Sequence, residues 1–366
     1  MNGRSAGLLT KVVLLATGAA LAAAGCTSAA SPAGAGSSPA TTALKTYTSE
    51  SALVTAAKKE GTLSLIIAPE YVPFLVNGFK KAYPWAKVNF TALEPDQAAA
   101  KLLTEVNSGI NDTDVVGVWP TALGTFEAKG QLARIKVPND ANILPGLADT
   151  ADSYYHPMLS VPVALLYNTD IVKNPPRTLE ALADPKWSKQ LTVQSPFGSG
   201  VGEQVFAMGH DTWGDAKWRT WLQGVGQNQP ALQDSDSSAF AAVQRGDRGL
   251  CICSYQDFTS APKGSHLGVV FFDQQSFGDL DTTVDVAVLA KAPHPAMAAL
   301  WLNYMLSASG GQKGMAQTGR NPSVTGVPGG IALPAGTKVA QFSQVLADLI
   351  KRPDYYQTAY KKYLGS

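Results

Sequence analysis

Cysteine is scarce in this sequence, with three residues among 366. A chain so poor in cysteine is not a disulfide scaffold, so its fold must depend on hydrophobic cores. Charged residues make up only 16% of the sequence, and lysine and arginine form no block. Because nucleic-acid binding requires a basic face or a recognised motif, we exclude nucleic acid as a partner.

Catalytic motifs are also missing. The sequence has no Gly-x-Ser-x-Gly elbow, no His-Glu-x-x-His helix and no Walker loop. We therefore predict that the protein is not an enzyme. A lipid-anchored hydrolase is the alternative from another class, but the spacing of Ser199, His210 and Asp211 selects no triad.

The N-terminus has the layout of a secretory signal. Arg4 and Lys11 flank the start of the segment, and an apolar run follows from Val12 to Ala24 that is too short to span a membrane. Residues 23–26 read Ala-Ala-Gly-Cys and resemble the lipobox of bacterial lipoproteins. We predict a signal peptide over residues 1–25 and a lipid on Cys26; an ordinary cleaved signal is the alternative. Removing residues 1–25 takes away two basic side chains and changes the net charge from +1 to −1.

The region after Cys26 is almost wholly alanine, serine, proline, glycine and threonine. Such a composition cannot bury a core, so we predict a flexible tether over residues 26–46 with a root-mean-square span of about 25 Å. The other two cysteines, Cys251 and Cys253, are two residues apart in a strand-like run and would point to the same face. We expect two buried thiols there, because a bridge at this spacing would be unusual.

Strand-like and helix-like patterns alternate after the tether, which predicts parallel strands with helices on both faces and a ligand at the carboxyl ends of the strands. The extended run from Ser160 to Asn168 can cross between two lobes, with a return near residues 282–290. We predict one α/β lobe from residues 47–159 plus 284–366 and another from residues 160–283. The predicted strands are 63–68, 87–93, 114–119, 191–194, 250–253 and 267–272.

Several short motifs occur in a specific order along the mature sequence. They are Leu53–Gly61, Phe79–Pro84, Leu103–Val106, Asp114–Val116, Tyr167–Thr169, Leu179–Trp187, Lys291–Pro295, and Leu306–Ser307 followed by Gly311–Gln312. Together they resemble the family-1 extracellular solute-binding proteins, in the branch that includes ferric-iron, polyamine, thiamine and phosphonate binders. The resemblance implies an α/β, two-lobed, type II periplasmic-binding-protein-like fold, in which crossing strands join two helix-flanked sheets. It also implies the substrate-binding component of an ABC importer, which captures a small solute between the lobes and delivers it to a permease.

Ligand contacts are expected on loops that follow strand ends and at helix N-termini. Glu70 and Tyr71 follow the first strand and suit a cation and a stacked ring; a first-turn glutamate stabilised by the helix dipole is the alternative. Trp119 follows the third strand and is either a ligand platform or a core residue. Tyr167 lies on the crossing run and is also a candidate.

The second lobe offers three more loops. Ser199 and Gly200 lead into a helix, where free N–H groups suit an anionic group, and a plain helix cap is the alternative. Ser237 and Ser238 begin another helix, and capping is the favoured role for them. The third loop, after the Cys-Ile-Cys strand, contains Tyr255 and Asp257.

Ferric-iron members of the family carry adjacent tyrosinates in the region of Tyr255, where this sequence has a single tyrosine between Ser254 and Gln256. Because Fe(III) prefers several anionic oxygen donors, we predict an organic solute, with no metal and no cofactor. A ferric-iron-binding protein of the same fold is the alternative. The sign of the ligand's charge stays open, since aromatic and acidic residues suit an amine while the Ser/Gly helix starts suit an anion.

The predicted partners are the small solute and a membrane permease. The mature protein is expected to be a monomer, anchored by its lipid at the outer face of the cell membrane or in the periplasm.

Overall fold

The computed structural model describes residues 43–144, 147, 154–272, 279–318, 320–332, 339–341 and 343–365. The predicted signal peptide, Cys26 and most of the predicted tether lie outside these residues. Within the described part of the chain, no helix has both the length and the apolar character needed to cross a membrane.

Strands and helices alternate along the described chain, as the sequence pattern predicts. The strands are β1 (Lys45–Thr46), β2 (Thr62–Ile67), β3 (Lys87–Ala92), β4 (Val115–Val118), β5 (Ile135–Lys136), β6 (His156–Asn168), β7 (Leu191–Gln194), β8 (Ala231–Gln233), β9 (Leu250–Ser254), β10 (Leu267–Val270), β11 (Asp279–Val288), β12 (Asn321–Pro322) and β13 (Val339–Gln341). The helices are α1 (Glu50–Glu60), α2 (Asn77–Ala82), α3 (Pro95–Asn107), α4 (Pro120–Ala128), α5 (Val201–Trp213), α6 (Asp215–Gln227), α7 (Asp236–Arg245), α8 (Tyr255–Ser260), α9 (Pro295–Met305), α10 (Gly311–Gln317), α11 (Ser343–Lys351) and α12 (Pro353–Leu364).

The main sheet has the strand order β3-β2-β4-β11-β6-β9-β7-β8. Two groups of parallel strands lie within it: β3, β2 and β4, here called the N-terminal strand group, and β9, β7 and β8, here called the central strand group. The antiparallel strands β11 and β6 separate the two groups. Each parallel group follows from the β-α-β order of its sequence, because a helical crossover returns the chain in the same direction.

Strand β6 connects the two parts of the sheet. Its first half pairs with β11, up to Pro162 opposite Asp281, and its second half pairs with β9, from Val163 opposite Ser254 to Tyr167 opposite Leu250. The predicted crossing run, 160–168, falls within this strand, and the predicted return, 282–290, overlaps β11. The division of the chain into two lobes stays a prediction.

Separate hydrophobic cores form around the two strand groups. Leu53, Phe79 and Trp301 are fully buried in the core that packs α1, α2 and α9 against the N-terminal strand group. The core beside the central strand group contains Phe206 and Trp218, together with the α12 residues Tyr356, Ala359 and Tyr360. The C-terminal helix therefore packs against residues 160–283, although the sequence prediction placed it with residues 47–159.

The two cysteines of β9 are fully buried and bonded to each other in the structure. The Cα atoms of Cys251 and Cys253 are 5.6 Å apart, which lies within the range that a disulfide spans. The expectation of two free buried thiols is therefore wrong for this structure. The strand position does place both side chains on one face, as expected.

Candidate functional site

The carboxyl ends of the N-terminal strand group meet at one edge of the sheet, because β2 runs parallel to both β3 and β4. Glu94 follows β3, Glu70 follows β2, and Trp119 follows β4. Desolvation raises the pKa of Glu94, and the charges of Glu70 and Asp96 raise it further. This first edge therefore presents carboxyl groups close enough to repel one another.

The central strand group forms a second edge of the same kind. Strand β7 runs parallel to β8 and β9, so the loops that follow Gln194, Gln233 and Ser254 lie side by side. A hydrogen bond joins the two edges: the Ser199 hydroxyl donates to Asp96 Oδ1 at 3.0 Å. Desolvation raises the pKa of Asp96, while the hydrogen bond from Ser199 lowers it. The two edges thus lie in direct contact.

A buried acid lies beside this contact. Glu203, in the first turn of α5, is only 6% exposed. Its Oε1 accepts a long hydrogen bond of 3.5 Å from Gln357 Nε2, and its Oε2 accepts none from the described residues. Desolvation raises the pKa of Glu203 to about 7, the nearby Thr121 and Gln357 side chains lower it, and the charge of Asp96 raises it. Since Thr121 and Asp96 belong to the first edge, Glu203 reaches that edge from the second.

Two glycines allow the turn that places Glu203 there. Gly200 has a φ of +126°, and a Cβ at this position would lie 2.6 Å from Gln194 Oε1. That oxygen accepts a hydrogen bond of 2.9 Å from the backbone N–H of Val201. A Cβ at Gly202 would lie 1.8 Å from the carbonyl oxygen of Gln194. The start of α5 therefore packs directly on the end of β7, which only glycine permits.

The three aromatic residues expected to contact the ligand at the two edges have different environments. Trp119 is half-buried and contacts both hydrophobic cores. Tyr71 is buried beneath the guanidinium of Arg320, whose Cζ lies 5.2 Å from the ring centroid. Tyr255 is also buried, and its ring stacks on Phe258 at 5.8 Å between centroids. Trp119 is thus the aromatic side chain that lies between the two cores and keeps a partly free surface.

A second pair of acids lies at the second edge. Asp236 begins α7, and its Oδ2 accepts a hydrogen bond of 2.9 Å from the backbone N–H of Ser254. Desolvation and the charge of Asp257 raise the pKa of Asp236 well above its ordinary value. Desolvation also raises the pKa of Asp257 to about 6, against the lowering effect of its hydrogen bond with Asp236. The pair therefore retains a proton in mildly acidic solution.

The sequence profile of one family, described as bacterial extracellular solute-binding protein, matches residues 75–341, which is more than half of the chain. The chain belongs to this family. The predicted function is confirmed: the protein is the solute-binding component of an ABC importer. Members of the family are transport binding proteins rather than enzymes, and they are exported or periplasmic.

Solved structures show the same fold. Iron-bound HitA from Pseudomonas aeruginosa is 20% identical with a TM-score of 0.68, and the match covers 81% of this chain and 99% of HitA. AfuA from Actinobacillus pleuropneumoniae, with exogenous fructose-6-phosphate bound, is 18% identical with a TM-score of 0.71, and the match covers 83% of this chain and 98% of AfuA. A periplasmic thiamin binding protein is 18% identical with a TM-score of 0.68, and the match covers 83% of this chain and 96% of the thiamin binding protein.

Comparison with curated protein sequences gives no significant match. The identities to the solved structures are low, so these similarities establish the fold alone. The predicted class, an α/β type II periplasmic-binding-protein-like fold, is confirmed.

Most of the predicted ligand residues of this solute-binding protein lie at the two edges. They are Glu70, Tyr71 and Trp119 at the first edge, and Ser199, Gly200, Ser237, Ser238, Tyr255 and Asp257 at the second. The cap of α7 is Ser235, whose hydroxyl accepts a hydrogen bond of 3.1 Å from the backbone N–H of Ser238; Ser237 and Ser238 lie in the first turn of the helix, so the capping role expected for them belongs to Ser235. Their part in ligand binding stays a prediction.

The structure separates Tyr167 from the other candidates. It pairs with Leu250 at the first residue of β9, whereas the second edge begins after Ser254 at the last residue. Four residues of strand correspond to about 13 Å. Tyr167 also packs closely on Gly268 of β10, where a Cβ would lie 2.2 Å from the tyrosine Cζ.

Several residues at the junction of this solute-binding protein were missed by the sequence analysis. Asp96 follows a strand end and begins α3, so the rule applied to the other loops would have found it. Thr121 has the same signal after β4. Glu203 and Gln357 have none, because each lies within a helix and is brought to the junction only by tertiary packing.

Proposed function

We propose that this solute-binding protein holds an organic solute in a cleft between the two edges. Residues 47–159 and 284–332 would form one lobe and residues 160–283 the other, with α12 packed on the second. The lobes close on the solute by movement about β6 and β11, the strands that link the two groups. The closed form then docks on the permease.

The observation that carries this proposal is the hydrogen bond between Ser199 and Asp96. These residues are 103 positions apart and belong to loops that follow strands of different groups. In parallel α/β sheets, ligands bind at the carboxyl ends of strands, and here the two sets of carboxyl ends touch. The contact, together with Glu203 beside Thr121, supports a cleft between the two edges.

The chemistry of the second edge supports an organic solute over iron. A ferric site requires several anionic oxygen donors, and Tyr255, the tyrosine expected to provide one, is buried against Phe258 and Phe271. Trp119 offers a partly free ring at the junction, which suits an organic group better than a metal ion. The proposal includes no catalytic activity.

We further propose that the mature protein is anchored by a lipid on Cys26 and a tether over residues 26–46. The signal-like N-terminus and the Ala-Ala-Gly-Cys sequence support this. A tether of this length keeps the folded part within reach of a membrane permease.

A thermal-shift screen of the mature protein tests the proposed cleft. The panel contains polyamines, thiamine, sugars, phosphonates, carboxylates and ferric salts. A solute at one hundred times its dissociation constant adds about 2.7 kcal/mol of stability, so the melting temperature rises. Asp96→Asn and Trp119→Ala are expected to reduce the shift, while Asp247→Asn, on an exposed ion pair after α7, leaves it unchanged. Equal shifts in all four proteins would place the solute elsewhere.

A further inference from the structure

Glu203 is a buried carboxyl group that the described residues satisfy only weakly, through the long hydrogen bond from Gln357 and the nearby Thr121 hydroxyl. The side chain is 6% exposed, and Oε2 accepts no hydrogen bond from the described residues. The next residue, Gln204, is fully buried, and neither its Oε1 nor its Nε2 has a described partner. Buried polar groups are almost always hydrogen-bonded, and a buried unpaired carboxylate is strongly disfavoured. The incompletely bonded Oε2 of Glu203 therefore indicates a place that a ligand can complete.

The charge around Glu203 selects the kind of ligand. Asp96 lies beside it, and Glu94 and Glu70 lie beside Asp96 at the first edge. The basic side chain that the described contacts bring to these acids is Arg320, and its guanidinium lies over the rings of Tyr71 and Phe74. An anion placed among four carboxyl groups would be repelled, whereas a cation would be attracted.

We propose that the solute is an organic cation, a protonated amine or a quaternary ammonium group, held by Glu203 and Asp96 and covered by Trp119. This inference rests on the proposed function, since it assigns a ligand chemistry to the same cleft. Trp119 is half-buried between the two cores, and an aromatic face attracts a desolvated ammonium group. An amine would also donate hydrogen bonds to Glu203 Oε2, while a metal ion would require more oxygen ligands.

A cation that binds beside Glu203 displaces the proton from its carboxyl group. Because desolvation raises the pKa of Glu203 to about 7, about half of the ligand-free protein carries this proton at pH 7. The ammonium group stabilises the carboxylate, so binding releases the proton. If Glu203 stays ionised in the complex, the dissociation constant becomes about tenfold larger as the pH falls from 8 to 6.

Other ionisable groups near α5 do not give this pH dependence of the dissociation constant. Tyr360 donates its hydroxyl to the backbone oxygen of Glu203, and its pKa is raised well above the ordinary range. Asp96, whose pKa is raised, adds only to the weakening at lower pH. The charged groups on the other side of α5 gather around His210, two turns away from Glu203. They are Asp215 and Arg219 of α6, Asp348 of α11, and Arg352, which follows α11.

Isothermal titration of the mature protein tests the inference. The cationic probes are 1,4-diaminobutane, choline and thiamine; the others are citrate, inorganic phosphate, glucose, CaCl₂ and ferric citrate. We expect a cationic probe to bind about tenfold more weakly at pH 6 than at pH 8. Binding at pH 7 should release about half a proton, which is measured by comparing the binding enthalpy in buffers of different ionisation enthalpy. Glu203→Gln should weaken binding and remove both the proton release and the pH dependence above pH 6. Asp247→Asn should retain them.

The outcomes separate the inference from the proposed function. If an anionic, neutral or metal probe binds and Trp119→Ala abolishes its binding, the proposed cleft is supported but a cationic solute is contradicted. Binding of a cationic probe with no proton release overturns the role of Glu203. If the thermal-shift screen identifies a solute and no cationic probe binds at any pH, the inference fails while the proposed cleft stands. Should Glu203→Gln not fold, Asp96→Asn is measured instead and is expected to weaken cation binding at pH 8.

Discussion

Replacing Glu203 by glutamine should make the stability of the ligand-free protein less dependent on pH. Burial raises the pKa of Glu203 from 4.5 to about 7, so the folded state favours the protonated form. This contribution is fully present below the unfolded pKa and is lost as the pH rises through the folded pKa. Between pH 5 and pH 8 the loss amounts to about 2.5 kcal/mol for a shift of this size. Glutamine does not titrate, and Glu203→Gln removes the loss.

Urea denaturation of both proteins at pH 5 and pH 8, without solute, measures this contribution. The acids Asp96, Asp236 and Asp257 also have raised pKa values, so the wild type alone does not isolate Glu203. The informative quantity is the change in unfolding free energy between the two pH values, compared between variant and wild type. Asp247→Asn, at an exposed position, serves as the control and should behave as wild type. A pH dependence that is identical in wild type and Glu203→Gln would refute the burial argument.

Three further predictions concern other parts of the chain. Gly202→Ala brings a methyl group against the Gln194 carbonyl and should lower the free energy of unfolding, measured by thermal melting, by about 2 kcal/mol. Gly198→Ala places its methyl group in open space and should leave this free energy unchanged. Cys26→Ser should move the protein from the membrane fraction to the soluble fraction after cell fractionation, and unchanged membrane retention would contradict the lipid anchor. Trp119→Ala should reduce solute binding in titration calorimetry, and unaltered affinity would show that this ring does not cover the solute.

The strand pattern of the fold could be predicted from the sequence, because apolar runs of four to six residues are bounded by turn residues. Strands β2, β3, β7 and β9 begin and end within one or two residues of the prediction. Strand β8, Ala231–Gln233, was missed because three residues carry no recognisable pattern. The alternating pattern predicted two α/β lobes, and the resemblance to the family supplied the type II periplasmic-binding-protein-like class.

Helix boundaries were predicted less well where proline intervenes. The sequence predicts one helix over residues 71–83, but Pro73 lies in irregular helical turns, and α2 begins only at Asn77. Amphipathic spacing over residues 338–364 also predicts helix, but the described residues of this stretch form β13, α11 and α12, with Pro353 at the start of α12. The breaks at Pro73 and Pro353 follow from the missing N–H of proline, whereas no proline lies between β13 and α11.

The candidate site could be located from the sequence but not completed. Loops after strand ends identified Glu70, Trp119 and Ser199, because parallel strands bring their carboxyl ends together. Glu203 could not be found this way, since a glutamate in the first turn of a helix is normally exposed. Its burial depends on α12, which packs on α5 from more than 140 residues further along the chain.

Small-angle X-ray scattering of the mature protein tests the central claim most directly. In the present structure Ser199 and Asp96 are hydrogen-bonded, which is the arrangement proposed for the closed state. With a saturating solute, we expect a scattering profile that matches the described residues of this structure and a smaller radius of gyration than without solute. A radius of gyration that does not change when a solute binds would contradict closure of two lobes on the ligand.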